Sequence, residues 1–277
     1  MSVRKFRMRN SDGREFDLMR RDAFFYDPSG LGFSRSADYQ ETGLDWLESD
    51  CILDQKTIDG QMVFQGYRQY TEFKQFIAKA PLILCYTPLD TEYRIKGRVS
   101  QLDKGELAED SRRLVCDMTF TASGTWYQEK IYQTVPAGAG TAKVYSFRYP
   151  FRYQADRNLL EIWNTGDLPG YIKITMMGPL ENPTWSLISA GKTVAEGKLY
   201  NSIPAGDRLI INSSPAELEL ALYGADGNRK ANLYQDADFE TERFFQIPVG
   251  KSYIRVGDDG GGVVQTALEV RANAETV

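Results

Sequence analysis

The sequence predicts a mostly β protein in two parts, with one helix in the first part and a β-sandwich of Greek-key or jelly-roll type in the second. Three observations carry this prediction. Aromatic residues occupy every second position from 145 to 153, one segment between 66 and 80 has helical periodicity, and clusters of turn residues recur through the second half. Regularly spaced short strands with turns between them are typical of sandwiches.

The alternating segment places five rings on one strand, at Tyr145, Phe147, Tyr149, Phe151 and Tyr153. Successive side chains of a strand point to opposite faces, so all five rings share one face. The other face is polar and includes Pro150, which a strand accepts only where a ladder hydrogen bond can be spared. The pattern predicts a half-buried strand near a sheet edge, at the start of the second domain.

The helical segment is the one exception in a first half made of strands. Tyr70, Phe73, Phe76 and Ile77 recur at three- and four-residue steps, and Pro81 ends the pattern. Lys79 is expected in the last turn, where the helix dipole favours a cation. We expect the aromatic stripe to pack on a sheet, with a groove on a partner protein as the alternative.

Alternation and turn residues predict the strands of the first half, at 5–9, 15–18, 43–54, 60–65, 82–87, 92–102 and 112–121. An irregular stretch centred on 27–32 is expected after the first hairpin. Asp59-Gly60 indicates a second hairpin turn. Residues 102–107, with charge on both sides of Gly105, are expected to connect the last two strands.

The second half is expected to form a domain of its own. Residues 136–141 are small, contain one proline and predict a linker, which divides the chain into domains 1–135 and 142–277. Turn clusters then recur, at 164–167, 189–192, 204–207, 225–228 and 258–261.

Composition narrows the function. The 277 residues carry a net charge of −5, which argues against sequence-specific nucleic-acid binding. The three cysteines, Cys51, Cys85 and Cys116, form no Cys-x-x-Cys pair, and Cys85 is expected in the core. The chain has no 18-residue apolar stretch and begins without an apolar signal core, so we expect a protein with no membrane contact and no secretion signal.

Candidate chemistry is sparse because the sequence contains no histidine. Ser-His-Asp, Cys-His and His-ligated zinc sites are therefore excluded, and we predict no enzyme, metal or cofactor. Ser189-Ala190-Gly191-Lys192 fits a Ser-x-x-Lys pattern, but lies between strands and is expected to be a hairpin turn. Four alternating carboxylates, from Asp236 to Glu242, favour a solvated segment over a cation site.

Aromatic residues leave a sugar-binding function open. Tyr149, Trp163 and Trp185 are candidates for stacking on a glycan, as in a carbohydrate-binding module or a glycosidase that acts on host cell-wall glycans. We favour the interpretation that the rings build the core of the sandwich, where each gains a few kcal/mol from removed apolar area, with sugar stacking as the alternative.

The order of several segments resembles the distal tail proteins (Dit) of long-tailed bacteriophages, a siphovirus-type tail component family. The likeness rests on residues 24–33, 104–106, 114–120, 125–127, 178–185 and 244–250. No single segment is specific, but their order covers nearly the whole chain.

The resemblance implies an N-terminal β-sandwich with one helix, a C-terminal galectin-like sandwich, and a structural role. In this family the first domains form a homohexameric ring that joins the tail tube protein to the tail-associated hub or lysin protein, and the outer domains can anchor a receptor-binding protein. It implies a place at the virion tail tip, after assembly in the host cytoplasm. A tail-like bacteriocin component would share these properties.

The subunit contact is expected at the charged connection of the first domain. Leu102, Asp103, Lys104, Gly105 and Glu106 are predicted to lie on an arm, over 98–113, that crosses to the neighbouring subunit. The polar face of the first strand, with Arg7 and Arg9, either is solvated or lines the ring opening.

Overall fold

The computed structural model describes residues 4–107, 113–133 and 158–277. The five-ring strand and the predicted linker lie outside these residues. The chain divides into two compact units, Met1–Gln128 with Ala274–Val277, and Glu129–Asn273. Nearly all regular structure is antiparallel strand, which confirms the predicted fold class. No helix among the described residues is long and apolar enough to cross a membrane.

Among the described residues, the first part of the chain forms ten strands and a helix, and the last of these strands begins in the N-terminal unit. In chain order they are β1 Lys5–Arg9, β2 Glu15–Asp17, β3 Ala23–Ser29, β4 Arg35–Thr42, β5 Asp45–Leu53, β6 Thr57–Phe64, α1 Tyr67–Ile77, β7 Leu82–Thr87, β8 Tyr93–Leu107, β9 Leu114–Ala122 and β10 Trp126–Gln133. One layer runs β2–β1–β7–β8 and the other β8–β9–β6–β3, so the long β8 belongs to both.

The core of this unit lies between the two layers. Phe6 of β1 meets Phe25 of β3 edge-to-face, with ring centroids 5.5 Å apart. The helix covers one end of this core through Phe73, which is buried 5.2 Å from the ring of Phe16. The predicted helix and its aromatic stripe are thus confirmed, but Lys79 lies beyond the helix end, and the last turn carries Lys74.

Several predictions for the first half need correction. The irregular stretch expected around 27–32 is shorter than predicted and spans 30–34, because β3 and β4 occupy most of 23–42. Asp59-Gly60 is not a turn but lies inside β6, paired with Thr119 and Met118 of β9. Glycine is needed there because a Cβ would come 2.6 Å from the ring of Phe25. The close approach of a ring, and not a turn, explains this glycine.

The connection predicted at 102–107 is also a strand. Leu102, Asp103 and Lys104 continue β8 and pair with Met118, Asp117 and Cys116 of β9. Charged residues obscured this strand in the sequence because its outward face is solvated, while Leu102 and Leu107 pack against the core. An arm that leaves the body of the unit is therefore not present at these residues.

In its described residues, the C-terminal unit contains two main sheets with a core between them and one short two-stranded sheet. Its strands are β11 Leu159–Asn164, β12 Leu168–Met177, β13 Leu180–Glu181, β14 Thr184–Ser189, β15 Lys192–Lys198, β16 Ser202–Ile203, β17 Arg208–Asn212, β18 Glu219–Tyr223, β19 Arg229–Asn232, β20 Gly250–Gly257 and β21 Thr266–Ala274. Short 3₁₀ turns span Pro215–Glu217 and Tyr234–Asp236.

The first sheet runs β19–β18–β17–β12–β21, the second β11–β20–β14–β15, and β13 pairs with β16. Inward side chains such as Ile174, Leu209, Leu187 and Ile254 fill the space between them. The β14–β15 hairpin turns at Ala190 and Gly191, both with positive φ, which confirms that Ser189-Ala190-Gly191-Lys192 is a turn. The predicted β-sandwich is confirmed.

Candidate interaction surfaces

A cluster of exposed apolar residues of the N-terminal unit lies on a two-stranded ribbon. We use this name for β4 and β5, Arg35–Thr42 and Asp45–Leu53, which pair with each other in a sheet of their own. Every residue of the two strands except Ala37 and Leu53 is exposed. Trp46 is 66% exposed, Leu47 61% and Leu44 at the turn 101%. Soluble proteins rarely leave such residues together in water unless they bind something.

The two faces of the ribbon differ in chemistry. Cross-strand pairs place Tyr39 beside Glu48 and Glu41 beside Trp46, so that two rings and two carboxylates share one face. We call this the aromatic face. The opposite face carries Asp38, Gln40 and Thr42 on β4, with Asp45, Leu47 and Asp50 on β5. Residues 36–52 contain five carboxylates and no lysine or arginine, which makes the ribbon strongly acidic.

The base of the ribbon is fixed to the body of the unit. Ser36 donates a hydrogen bond to the Asp54 carboxylate at 2.7 Å, and the Gln55 amide donates to the Ala122 carbonyl at 2.9 Å. Arg35 pairs with Glu275 near the end of the chain. These contacts orient the ribbon while its strands remain exposed, as a docking element requires.

A second surface, the outward face of β1, β7 and β8, is basic. Its cations are Lys5, Arg7, Arg9, Arg94, Lys96 and Arg98, which we call the basic face. They lie together because Phe6, Met8, Ile95 and Gly97 point inward at the alternate positions. The carboxylates paired with β1 or with Arg7 and Arg94 are Glu15, Asp17 and Glu92, so that among these described residues cations exceed anions.

Ion pairs hold the middle of the basic face in place. Glu92 accepts hydrogen bonds from Arg7 and from Arg94, the second at 2.8 Å. Burial acts to raise the pKa of Glu92, but the hydrogen bonds from Arg94 and Arg7 outweigh it and hold that pKa below its usual value. Cys85 of β7 lies in register between Arg7 and Arg94. It is buried, as predicted, and this burial raises the pKa of its thiol to about 11.

Glu92→Gln is expected to lower the free energy of unfolding at pH 7 by about 1–2 kcal/mol, because two arginines lose their carboxylate. The pKa of Glu92 is lower in the folded protein than its unfolded value of 4.5. Its contribution to stability is therefore complete above pH 4.5 and is lost as the pH falls through the folded pKa. Urea denaturation of both proteins at pH 7 and pH 3 checks this. An equally large difference in the free energy of unfolding between the two proteins at pH 3 would contradict this prediction. Glu15→Gln, which removes a carboxylate from a more exposed ion pair, is the milder control.

The predicted interface residues Leu102 to Glu106 lie together on β8, not on an arm. Lys104 places its ammonium 4.9 Å from the ring of Tyr67 at the start of α1. Asp103 lies directly opposite Asp117 of β9 and accepts a hydrogen bond from Gln101 at 2.7 Å. Asp103, Lys104 and Glu106 are exposed and remain available to a neighbour, whereas Leu102 packs against the core. The backbone of Leu102 to Lys104 is paired with β9.

The predicted sugar-stacking residues are not brought together. Trp185 is 1% exposed, donates its Nε1–H to the Arg243 carbonyl at 2.9 Å, and packs where Gly197 leaves room for its ring. The sugar-binding alternative required this ring to be exposed, but it is part of the core. Trp163 is 47% exposed, with Lys251 5.9 Å from its ring, and Tyr149 lies outside the described residues.

The remaining candidates are used within the fold. Asp236 accepts a hydrogen bond from Asn201 at 2.7 Å, and Asp238 accepts one from the backbone of Glu240 at 2.9 Å. No group of three or more potential metal ligands converges in the part of the chain that the structure describes.

A groove of about 610 Å³ beside β15 is lined mainly by apolar residues such as Val194, Leu218 and Phe244, with Glu242 as the carboxylate among its lining. Glycoside hydrolysis uses a pair of carboxylates.

The ribbon and the basic face were not recognised as sites in the sequence. The signal for the ribbon was available, since Tyr39, Trp46 and Leu47 alternate with acidic residues in a strand-forming stretch. What the sequence does not contain is the information that, within the described residues, these strands pair with each other and with no other strand. The basic residues come from 5–9 and 94–98, which are far apart until β7 joins β1 to β8.

Comparison with known proteins points to phage tails. Residues 5–123 match the family model described as distal tail protein, N-terminal domain. No curated protein sequence matches the chain. The fold resembles a chain of the phage P2 baseplate in its activated conformation with calcium, at TM-score 0.68 and 16% identity over 100% of both chains, and the corresponding strontium structure, at TM-score 0.67 and 16% identity.

The fold also resembles the SPP1 Dit protein, described as a paradigm of the hub adsorption apparatus in phages that infect Gram-positive bacteria. The TM-score is 0.64 at 10% identity, over 96% of this chain and 98% of that one. The likeness to these structures therefore extends over both units. Residues 5–123 match the distal tail protein N-terminal domain model, and the fold over both units is similar to those of these baseplate and Dit chains, which confirms the predicted resemblance.

Proposed function

We propose that this chain forms the closed hub ring at the distal end of a phage tail, with the N-terminal units as the ring. The observation that carries the proposal is the exposed ribbon on a unit that matches the distal tail family. A two-stranded ribbon is marginally stable alone in water, and exposed apolar residues on it favour a covered state. A neighbouring copy in the ring provides that cover.

A ring follows if the contact is heterologous. When one patch of a subunit binds a different patch of the next, the assembly closes once the rotation per subunit divides a full turn. Six copies is the number implied by the family resemblance. In this proposal the ring joins the tail tube protein to the tail-associated hub or lysin protein, and the C-terminal unit faces a receptor-binding protein.

The proposed role is geometric and not catalytic. The ring assembles in the host cytoplasm and resides at the tail tip, without membrane contact or sequence-specific nucleic-acid binding. The groove beside β15, with Glu242 as the carboxylate of its lining, lacks the paired acids of a glycosidase within the described residues. The fold likeness to baseplate and hub proteins supports the same role.

Electron microscopy of the purified protein tests the ring. We expect annular particles with a central opening, and uniform isolated monomers at micromolar concentration would contradict the proposal. Residues Leu102 to Glu106 are kept as a second proposed contact, which the variant K104E/E106K tests without changing net charge. Unchanged rings in that variant would remove these residues from the interface.

A glycan array run on the same preparation addresses the sugar-binding alternative. We expect no binding, because Trp185 is buried and the ring of Trp163 is accompanied by Lys251 and Glu161, which pair with each other at 2.9 Å. Binding that is lost in Trp163→Ala would instead assign this side chain to a glycan site.

A further inference from the structure

We propose that the aromatic face of the ribbon of one copy docks on the basic face of the next copy. This inference rests on the proposed ring and names its two contacting surfaces. The partner is therefore a second copy of this chain, and the contact is heterologous.

Charge complementarity is the first argument. The aromatic face carries Glu41 and Glu48, and residues 36–52 contain no lysine or arginine. The basic face carries six cations against the neighbouring Glu15, Asp17 and Glu92. Complementary potentials of this kind steer the encounter of two copies and favour contact between the two surfaces.

Side-chain chemistry is the second argument. Tyr39 and Trp46 present ring faces next to Glu41 and Glu48. Arginine and lysine bind aromatic faces and carboxylates alike, and arginine stacks while its guanidinium pairs with an acid. The aromatic face therefore offers both kinds of partner to a surface made of arginine and lysine.

Dimensions are the third argument. The nine residues of β5 span roughly 30 Å at the usual strand rise. The basic face extends across three adjacent strands, over roughly 10 Å at the usual strand spacing, and along the length of β1 and the first half of β8. The ribbon is thus long enough to cover the basic face along its strands.

The position of existing ion pairs fits this contact. Arg7, Arg9 and Arg94 are already held by Glu15 and Glu92, which orients their side chains before docking. Lys5 and Arg98 are exposed at the margins of the basic face. A preoriented centre with exposed cations around it is suited to receive the carboxylates of the aromatic face, because less side-chain freedom is lost on binding.

A charge-exchange experiment tests the inference. Variant E41K/E48K reverses the aromatic face, and variant K96E/R98E reverses the basic face. Each is expected to raise the protein concentration needed for half-assembly at least tenfold. Mixed in equal amounts, they are expected to form alternating rings again, because the reversed ribbon of one variant faces the reversed sheet of the other. Sedimentation velocity measures all three samples.

The matched control lies on the same ribbon. Variant D38K/D45K changes the net charge by the same amount on the opposite face and is expected to assemble like the wild type. K5E/R98E replaces K96E/R98E if that variant melts early. Wild-type rings together with unchanged assembly of E41K/E48K, or no rings in the mixture of folded variants, would overturn the inference. A wild-type protein without rings would instead contradict the proposed function itself.

Discussion

A chain whose residues 37–51 are replaced by Asn-Gly is expected to fold and to remain monomeric. Ser36 and Ile52 are a cross-strand pair, so a two-residue type I′ turn can join them directly. Nearly every deleted side chain is exposed, and we expect a change of less than about 1 kcal/mol in the free energy of unfolding. Sedimentation velocity and thermal denaturation, run side by side, measure the two effects.

The base of the ribbon is kept in this variant so that only the docking surface is removed. Ser36 still donates to Asp54, and Arg35 still pairs with Glu275. A full-length chain with Ser49→Ala serves as the control, because it alters the ribbon without removing either face. Rings of normal size from the shortened chain would show that the ribbon plays no part in assembly.

Trp185→Ala is expected to destabilise the C-terminal unit by about 3–5 kcal/mol, the usual cost of removing a buried aromatic side chain. The ring lies in the core against Gly197 and its Nε1–H is bonded to the Arg243 carbonyl, so both packing and a hydrogen bond are lost. A shift of this size lowers the melting temperature by roughly 10 °C in a unit of this length. Differential scanning calorimetry measures it.

Trp163→Ala is the matched control for that substitution. Its ring is about half-exposed, and its Nε1–H bonds to the exposed Glu161 at 3.1 Å, so we expect a loss below about 1 kcal/mol. Equal melting temperatures for the two variants would contradict the placement of Trp185 in the core and reopen its use as a stacking residue.

Local patterns predicted much of the fold. The alternation of residues 5–9 and 82–87 gave strands at nearly the observed positions, and the period of 66–80 gave the helix. These predictions succeed because one face of each element is buried, so that the apolar period follows the geometry of the backbone. The exclusion of histidine chemistry depends on composition alone.

Non-local contacts could not be predicted in this way. Gly60 resembles a turn residue, but the ring of Phe25 explains it, and that ring comes from another strand. Residues 102–107 resemble a loop because their strand is solvated on one face. The two surfaces could not be predicted for the same reason, because both depend on strand pairing. The ribbon is recognised because β4 and β5 form a sheet separate from the others, and the basic face forms because β7 lies between β1 and β8.

The measurement that tests the central claim most directly is the mass of the wild-type protein in solution, by light scattering across a concentration series. Six copies of the 31.4 kDa chain predict an assembly of about 188 kDa that persists on dilution. A mass of 31.4 kDa at every concentration would contradict the account.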